Sequence, residues 1–300
     1  FSYYDNGKEI IQDYGAARYL NIEPKNGGHY LPENKTWAMQ TIAHNTLVVD
    51  ETSHFKGLIA VSSKYSPKHY YFTATDKVQL VSAKDENAYP GVKMHRSMLM
   101  INNPLFEKPL IIDIFRVESK QQHTYDFPFY FLGQLIKTNF DYKAYTDERF
   151  KFGENYGYQY LWVEAKGNIT KEMAAITWLN GNRFYTISTL ADADTELYLN
   201  RIGASDPSFN LRPEPCFIVR ENGKENHTFI SVIEAHGDFN PRLEYTRGYK
   251  SNIVNIRKIV DAKEYTLIEI TTDKGQLIIG LANNNIDVKA THKVDEYSWQ

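Results

Sequence analysis

Short apolar, β-type runs bounded by polar, turn-forming residues follow one another along most of the chain. In the first half the runs cover 46–50, 69–74, 78–83, 97–101, 109–117 and 124–132. In the second half they cover 160–165, 184–190, 196–202, 216–220, 229–234, 253–260, 265–271 and 276–281. Val, Ile, Tyr, Phe and Thr dominate them, and clusters of Asn, Gly, Asp and Pro separate them. Asn180-Gly181-Asn182 and Glu221-Asn222-Gly223-Lys224 predict hairpin turns. Helical spacing is scarce: residues 8–19 predict one short helix and 170–178 a turn or two. The pattern predicts an all-β protein, a large antiparallel β-sandwich with very little helix. Three prolines within 206–215 mark the best internal boundary. On that reading residues 1–212 form the main sandwich, and 213–300 form its closing strands or a small β subdomain.

Composition sharpens this picture in one respect. The chain holds 22 Tyr, 16 Phe and 4 Trp, a wealth of rings that suits half-buried sheet surfaces and also suits stacking on sugars. A net charge of −3 leaves no basic footprint for nucleic acid, and 42% apolar residues argue against a disordered chain. Cys216 is the only cysteine, so an intramolecular disulfide and a thiolate zinc cluster are both excluded, and its apolar neighbours predict a buried small hydrophobe. No apolar run reaches the length of a transmembrane helix. The opening Phe1-Ser2-Tyr3 reads as the interior of a longer protein, with neither an initiator Met nor a signal peptide.

The most informative segment is Thr41-Ile42-Ala43-His44-Asn45-Thr46-Leu47-Val48-Val49-Asp50, a His-Asn-Thr triplet running into a buried-type strand. Around it stand Asp13-Tyr14-Gly15-Ala16-Ala17-Arg18, Lys35-Thr36-Trp37-Ala38, Glu51-Thr52-Ser53-His54-Phe55, Glu86-Asn87-Ala88-Tyr89-Pro90-Gly91-Val92 and Glu234-Ala235-His236-Gly237. His44 enters a strand from a loop, where an imidazole suits a metal, a proton transfer or a substrate oxygen, or else a structural bond to backbone. Tyr89 lies in a Pro-Gly loop just ahead of the strand that carries Arg96.

This ordered set resembles the C-terminal β-domain of heparinase II/III-like polysaccharide lyases, most of all the oligoalginate lyases. The resemblance implies β-elimination on a uronic-acid glycan such as alginate oligomers, with an N-terminal α/α toroid supplying the other wall of the cleft. It implies a bacterial protein, periplasmic or secreted, acting on an acidic oligosaccharide. It assigns Tyr89 and His44 to catalysis and Arg18, Arg96 and His54 to substrate binding. A neighbouring cation would lower the Tyr89 pKa. A structural zinc or other divalent cation would fall to His44, Asp76 and His123, and His44 would then serve either metal or substrate. Of the other histidines, His69 and His95 are placed near the cleft, His236 in a structural turn, and His29, His227 and His292 in solvent. A non-catalytic carbohydrate-binding or structural β module is the alternative.

Overall fold

The structure, a computed structural model, describes residues 1–15, 19–21, 28–169, 171–287 and 289–299. Its framework is two long antiparallel strands, Leu110–Tyr130 and Pro215–His236, paired from Ile111↔Ile233 to Tyr130↔Cys216. The hydrophobic pattern splits each of them in two because residues 118–124 and 221–227 are largely polar. Backbone pairing nonetheless continues across that stretch, with register shifts on either side of Lys224. Glu221-Asn222-Gly223-Lys224 is therefore an irregularity within one strand rather than a hairpin, and Gly223 supplies the positive φ it requires.

Crossing from one layer to another, the two strands serve both. Residues 110–118 and 226–233 sit in a layer that extends one way through Lys93–Ile101 and Val78–Asp85 to Lys68–Ala74. The other way it extends through Arg183–Leu190 and Met173–Asn180 to Gln134–Thr138. Residues 125–130 and 215–220 belong to a second layer, which continues through Glu196–Ile202 and Leu161–Asn168 to Asp141–Ala144. Alternation then sorts the side chains. Phe115, Val117, Phe127, Phe217 and Phe229 fill the core between the layers. Cys216, Ile218 and Tyr130 point the other way, against Trp37, Ile42 and Tyr158 from the irregular segments. Ile112, Ile114, Ile230 and Val232 pack on a three-stranded sheet, Ile253–Asp261, Tyr265–Thr272 and Gly275–Ala282. The all-β sandwich expected from the pattern is present, and Cys216 is fully buried.

Two expectations meet a different structure. Residues 8–11 form a strand paired with Tyr3–Asp5, because Asn6 and Gly7 both take positive φ and close a tight hairpin. Met173–Asn180 is likewise a strand, zipped to Arg183–Leu190 across the Gly181 turn. The proline-rich segment before residue 215 leads into the middle of the large sheet, so chain on both sides of residue 212 builds the same two layers. A small two-stranded sheet, Asp238–Asn240 with Tyr245–Arg247, follows, and the separate three-stranded sheet begins at Ile253. Among the described residues no helix is long and apolar enough to cross a membrane.

Candidate active site

Residues 41–57 carry the site on a series of tight turns. Thr41–Ala43 makes a single 3-10 turn, after which His44 is extended. The His44 ring is clasped on both sides: Nδ1 lies 2.5 Å from Asp13 Oδ1 and Nε2 3.0 Å from the Ala38 carbonyl. A neutral imidazole has one N–H and can serve only one of these two acceptors. Asn45 is wholly buried and ties three segments together. Its amide donates to the Phe1 and Gln12 carbonyls, and its Oδ1 accepts the Tyr130 N–H.

Three residues on, Val48–Val49 pairs with the Leu110–Tyr130 strand, and Asp50 and Glu51 turn the chain back with φ of 50° and 51°. The turn aims Asp50 at His123: its Oδ2 is 2.7 Å from Nδ1, while Oδ1 accepts the Thr124 N–H. His123 Nε2 lies 3.0 Å from the Ser119 hydroxyl. Beneath the turn, Arg220 reaches Glu51 with one nitrogen and clamps the buried Asp126 with two. Phe55 and Lys56 also hold positive φ, a strained pair fixed by the Phe55 N–H on the Ala88 carbonyl and by Phe55 stacked on Tyr65.

These turns enclose a groove of about 510 Å³, lined by Asp50, Thr52, Phe55, Lys56, Tyr89 and His123 among others. Tyr89 stands in its wall, 5% exposed, with its hydroxyl donating to the Thr52 carbonyl at 2.7 Å. The edge of the His54 ring meets the Tyr89 ring at 5.0 Å. Burial pushes the Tyr89 phenol well above its ordinary value; the Val49 amide and Thr41 hydroxyl offset this only in part, and the charges of Asp126 and Asp50 add to it. Tyr89 thus holds its proton and is a donor. The expected neighbouring cation is replaced by carboxylates. His54 is the reverse case: burial lowers its pKa, and the charge of His44 acts in the same direction. Its Nε2 lies 3.2 Å from the Leu47 carbonyl, the geometry of a ring that donates there and keeps the lone pair on Nδ1.

Tyr89 and His123 thus line one groove, while His54 packs against the Tyr89 ring without lining it. Arg96 is elsewhere in function: it makes a two-pronged bond to the buried Asp113, a third to the Asn45 carbonyl, and lies over the Phe1, Phe115 and Phe127 rings. Its guanidinium is consumed by the core, so it is a framework residue here. Arg18 lies outside the described residues. The expected metal set does not assemble. Asp76 is exposed beyond the Lys68–Ala74 strand, while His44 and His123 are each held by their own carboxylate. Among the described residues no three His, Cys, Asp or Glu side chains gather to hold a metal ion. His227 and His292, expected in solvent, are largely buried. Asp50, Asp13 and Lys56 are the residues that sequence reasoning passed over.

Residues 1–254 match the family described as heparinase II/III-like, C-terminal. The chain belongs to this heparinase II/III-like family. It is 38% identical over 295 residues to an exo-oligoalginate lyase of Saccharophagus degradans, covering 97% of this chain and 40% of that protein. An alginate lyase of Stenotrophomonas maltophilia is 39% identical over 286 residues, 94% of this chain and 38% of that protein. The chain therefore spans about two-fifths of the length of the curated relatives it matches. Among solved structures, a heparan sulfate lyase from Pedobacter heparinus superposes with a TM-score of 0.58 at 17% identity, over 92% of this chain and 35% of that one. A heparinase III does so with a TM-score of 0.60 at 10% identity, over 92% and 35%. At those identities the likeness concerns the β fold of the family.

Proposed function

We propose that this heparinase II/III-like chain forms the β half of a lyase that cleaves oligouronates of the alginate type by β-elimination. The observation that carries the reading is the contact between a protonated Tyr89 in the groove wall and the His54 ring packed against it, whose pKa burial lowers. In β-elimination a base takes the C5 proton, the electron pair forms the C4=C5 bond, and the C4–O4 bond breaks as O4 gains a proton. The two groups suit the two proton transfers: the His54 Nδ1 lone pair accepts, and the Tyr89 hydroxyl donates once substrate oxygen replaces the Thr52 carbonyl. Lys56 at the groove meets the need to neutralise the uronate carboxylate, whose charge otherwise opposes proton loss from C5. Asp50 holds His123 on the same wall.

The rest of the cleft belongs, on this proposal, to an α/α toroid in the longer protein. Leu58, Ile59 and Tyr65 stand exposed along the segment flanking the groove, an apolar strip suited to a protein neighbour. An acidic glycan substrate suits work in the periplasm or outside the cell, which fractionation of the source bacterium checks. The decisive assay follows unsaturated-uronate absorbance as full-length protein acts on defined oligoalginates. An absence of signal with alginate, heparan and hyaluronan oligomers removes the proposal. Retention of oligosaccharide by an inert protein supports a binding module instead.

A further inference from the structure

The three-stranded sheet covers the middle of the first layer, but the cover is incomplete at one edge. Between Gly275–Ala282 and the strands Lys68–Ala74, Val78–Asp85 and Lys93–Ile101 a cleft of about 490 Å³ remains. Its walls are aliphatic: Leu80, Leu277 and Leu281 line it and are only partly buried, beside the buried Leu99. One end is polar. There the Ser82 hydroxyl lies 2.8 Å from His95 Nε2 and 2.8 Å from the Ser97 hydroxyl. Burial, with the charges of Lys84 and Arg116, lowers His95 to about 4 and keeps the ring neutral at ordinary pH. Its Nδ1 makes no hydrogen bond among the described residues, and a neutral ring offers that atom as donor or acceptor according to tautomer. At the mouth the Trp299 ring lies across Gly280, where a Cβ would come within 2.9 Å of it, and packs on Tyr265 and His292.

Close-packed sandwiches do not leave clefts of this size between their sheets, and open aliphatic walls are unfavourable in water. The lining contains no Lys or Arg, and Asp287 stands in it, so an acidic glycan is not its ligand. A neutral sugar carries hydroxyls on every side, and the leucine walls would leave most of them unpaired. We propose that the cleft binds a small uncharged amphiphile, an aliphatic or aromatic body between the sheets with one hydroxyl or carbonyl head on Ser82 and His95. Few polar groups converging on one end of an apolar cavity is the usual form of such sites. Neither this proposal nor its readout depends on lyase activity.

The test titrates full-length protein with the uncharged dye N-phenyl-1-naphthylamine and displaces it with 1-decanol. Saturable one-to-one binding, displaced by decanol but not by maltose or oligoalginate, is the expected result. Leu281→Glu places a charge in the wall and weakens the dye by about tenfold or more. Ser82→Ala raises the decanol needed for displacement by about fivefold while dye binding persists. Should Leu281→Glu fail to melt cooperatively, Thr73→Trp, which fills the cleft from its lining, takes its place. Absence of saturable binding, equal binding by both wall variants, or displacement by maltose overturns the proposal.

Discussion

On the proposed function Tyr89 acts through a hydroxyl whose resting partner is the Thr52 carbonyl, so its removal separates function from stability. For Tyr89→Phe the expected outcome is a fall in kcat of about 100-fold or more on oligoalginate, because an acid or base contributes that much. The fold loses one hydrogen bond, about 1 kcal/mol, so the melting temperature moves by only a few degrees. Unchanged turnover would remove Tyr89 from the reaction. A second residue-scale expectation concerns pH. Burial raises Glu221 from 4.5 to about 7, while the Thr195 hydroxyl donates to it. Between those values the folded protein holds a proton that the unfolded chain has released, so this group makes stability fall as pH rises. His227, lowered from 6.5 to about 4, acts with the opposite sign over its own window. The contribution is therefore read as a difference: melting curves of Glu221→Gln, which keeps an acceptor for Thr195, should lack the downward component between pH 4.5 and 7. Parallel profiles for the two proteins would contradict it. The ordered motifs pointed to Tyr89 and His54, and the expected metal set to His123; the structure puts Tyr89 and His123 in the groove wall and His54 against Tyr89, with no metal set among the described residues. Asp50 as a clasp for His123, and Asp13 for His44, were not legible, because each pairing joins positions far apart along the chain whose approach is set by tertiary packing. Arg96 was misread for the same reason: its partner, Asp113, lies one strand over.

At the scale of elements, the turn at Asp50 and Glu51 decides where His123 points, and Arg220 decides where the turn sits. Arg220 bridges Glu51 to Asp126, which also accepts the Tyr158 hydroxyl at 2.5 Å and is entirely buried. Arg220→Leu leaves that carboxylate without its cation, and breaking a buried pair in this way costs about 3–5 kcal/mol. Urea denaturation should show the loss in full. Because Glu51 is freed as well, oligoalginate turnover should fall further than the stability loss alone accounts for at a temperature where the variant remains folded. A variant with near-native midpoint and turnover would show that the turn is held by other contacts. The sequence foretold strands well wherever the apolar runs were clean. It failed at Lys8–Ile11, where a weak helical spacing was followed and the Asn6-Gly7 hairpin signal was missed, and in the polar middles of the two long strands. There, neighbours on both sides supply the pairing that local preference withholds.

On the scale of the whole molecule, the layers share their two longest strands, and this determines which cuts the fold survives. Division at residue 212 would take Pro215–His236 out of both layers at once, exposing the Phe217 and Phe229 core, so residues 1–212 alone should give no cooperative melt. Division before Ile253 is a milder and more informative test. It removes only the three-stranded sheet and the C-terminal residues beyond it, and it falls at the edge of the stretch, 1–254, that matches the family. Ile112, Ile114, Ile230 and Val232 would then face water, and each such side chain is worth about 1.5–3 kcal/mol when buried. Their sum is comparable with the whole stability of a typical domain, about 5–15 kcal/mol. Residues 1–252 should accordingly melt at least about 10 °C lower than the full chain or self-associate on gel filtration, while far-UV spectra remain β-rich. A fragment that stays monomeric and melts within a few degrees of the parent would mean that the third sheet is an appendage. The amphiphile cleft would then lie between two independent units instead of inside one cooperative core.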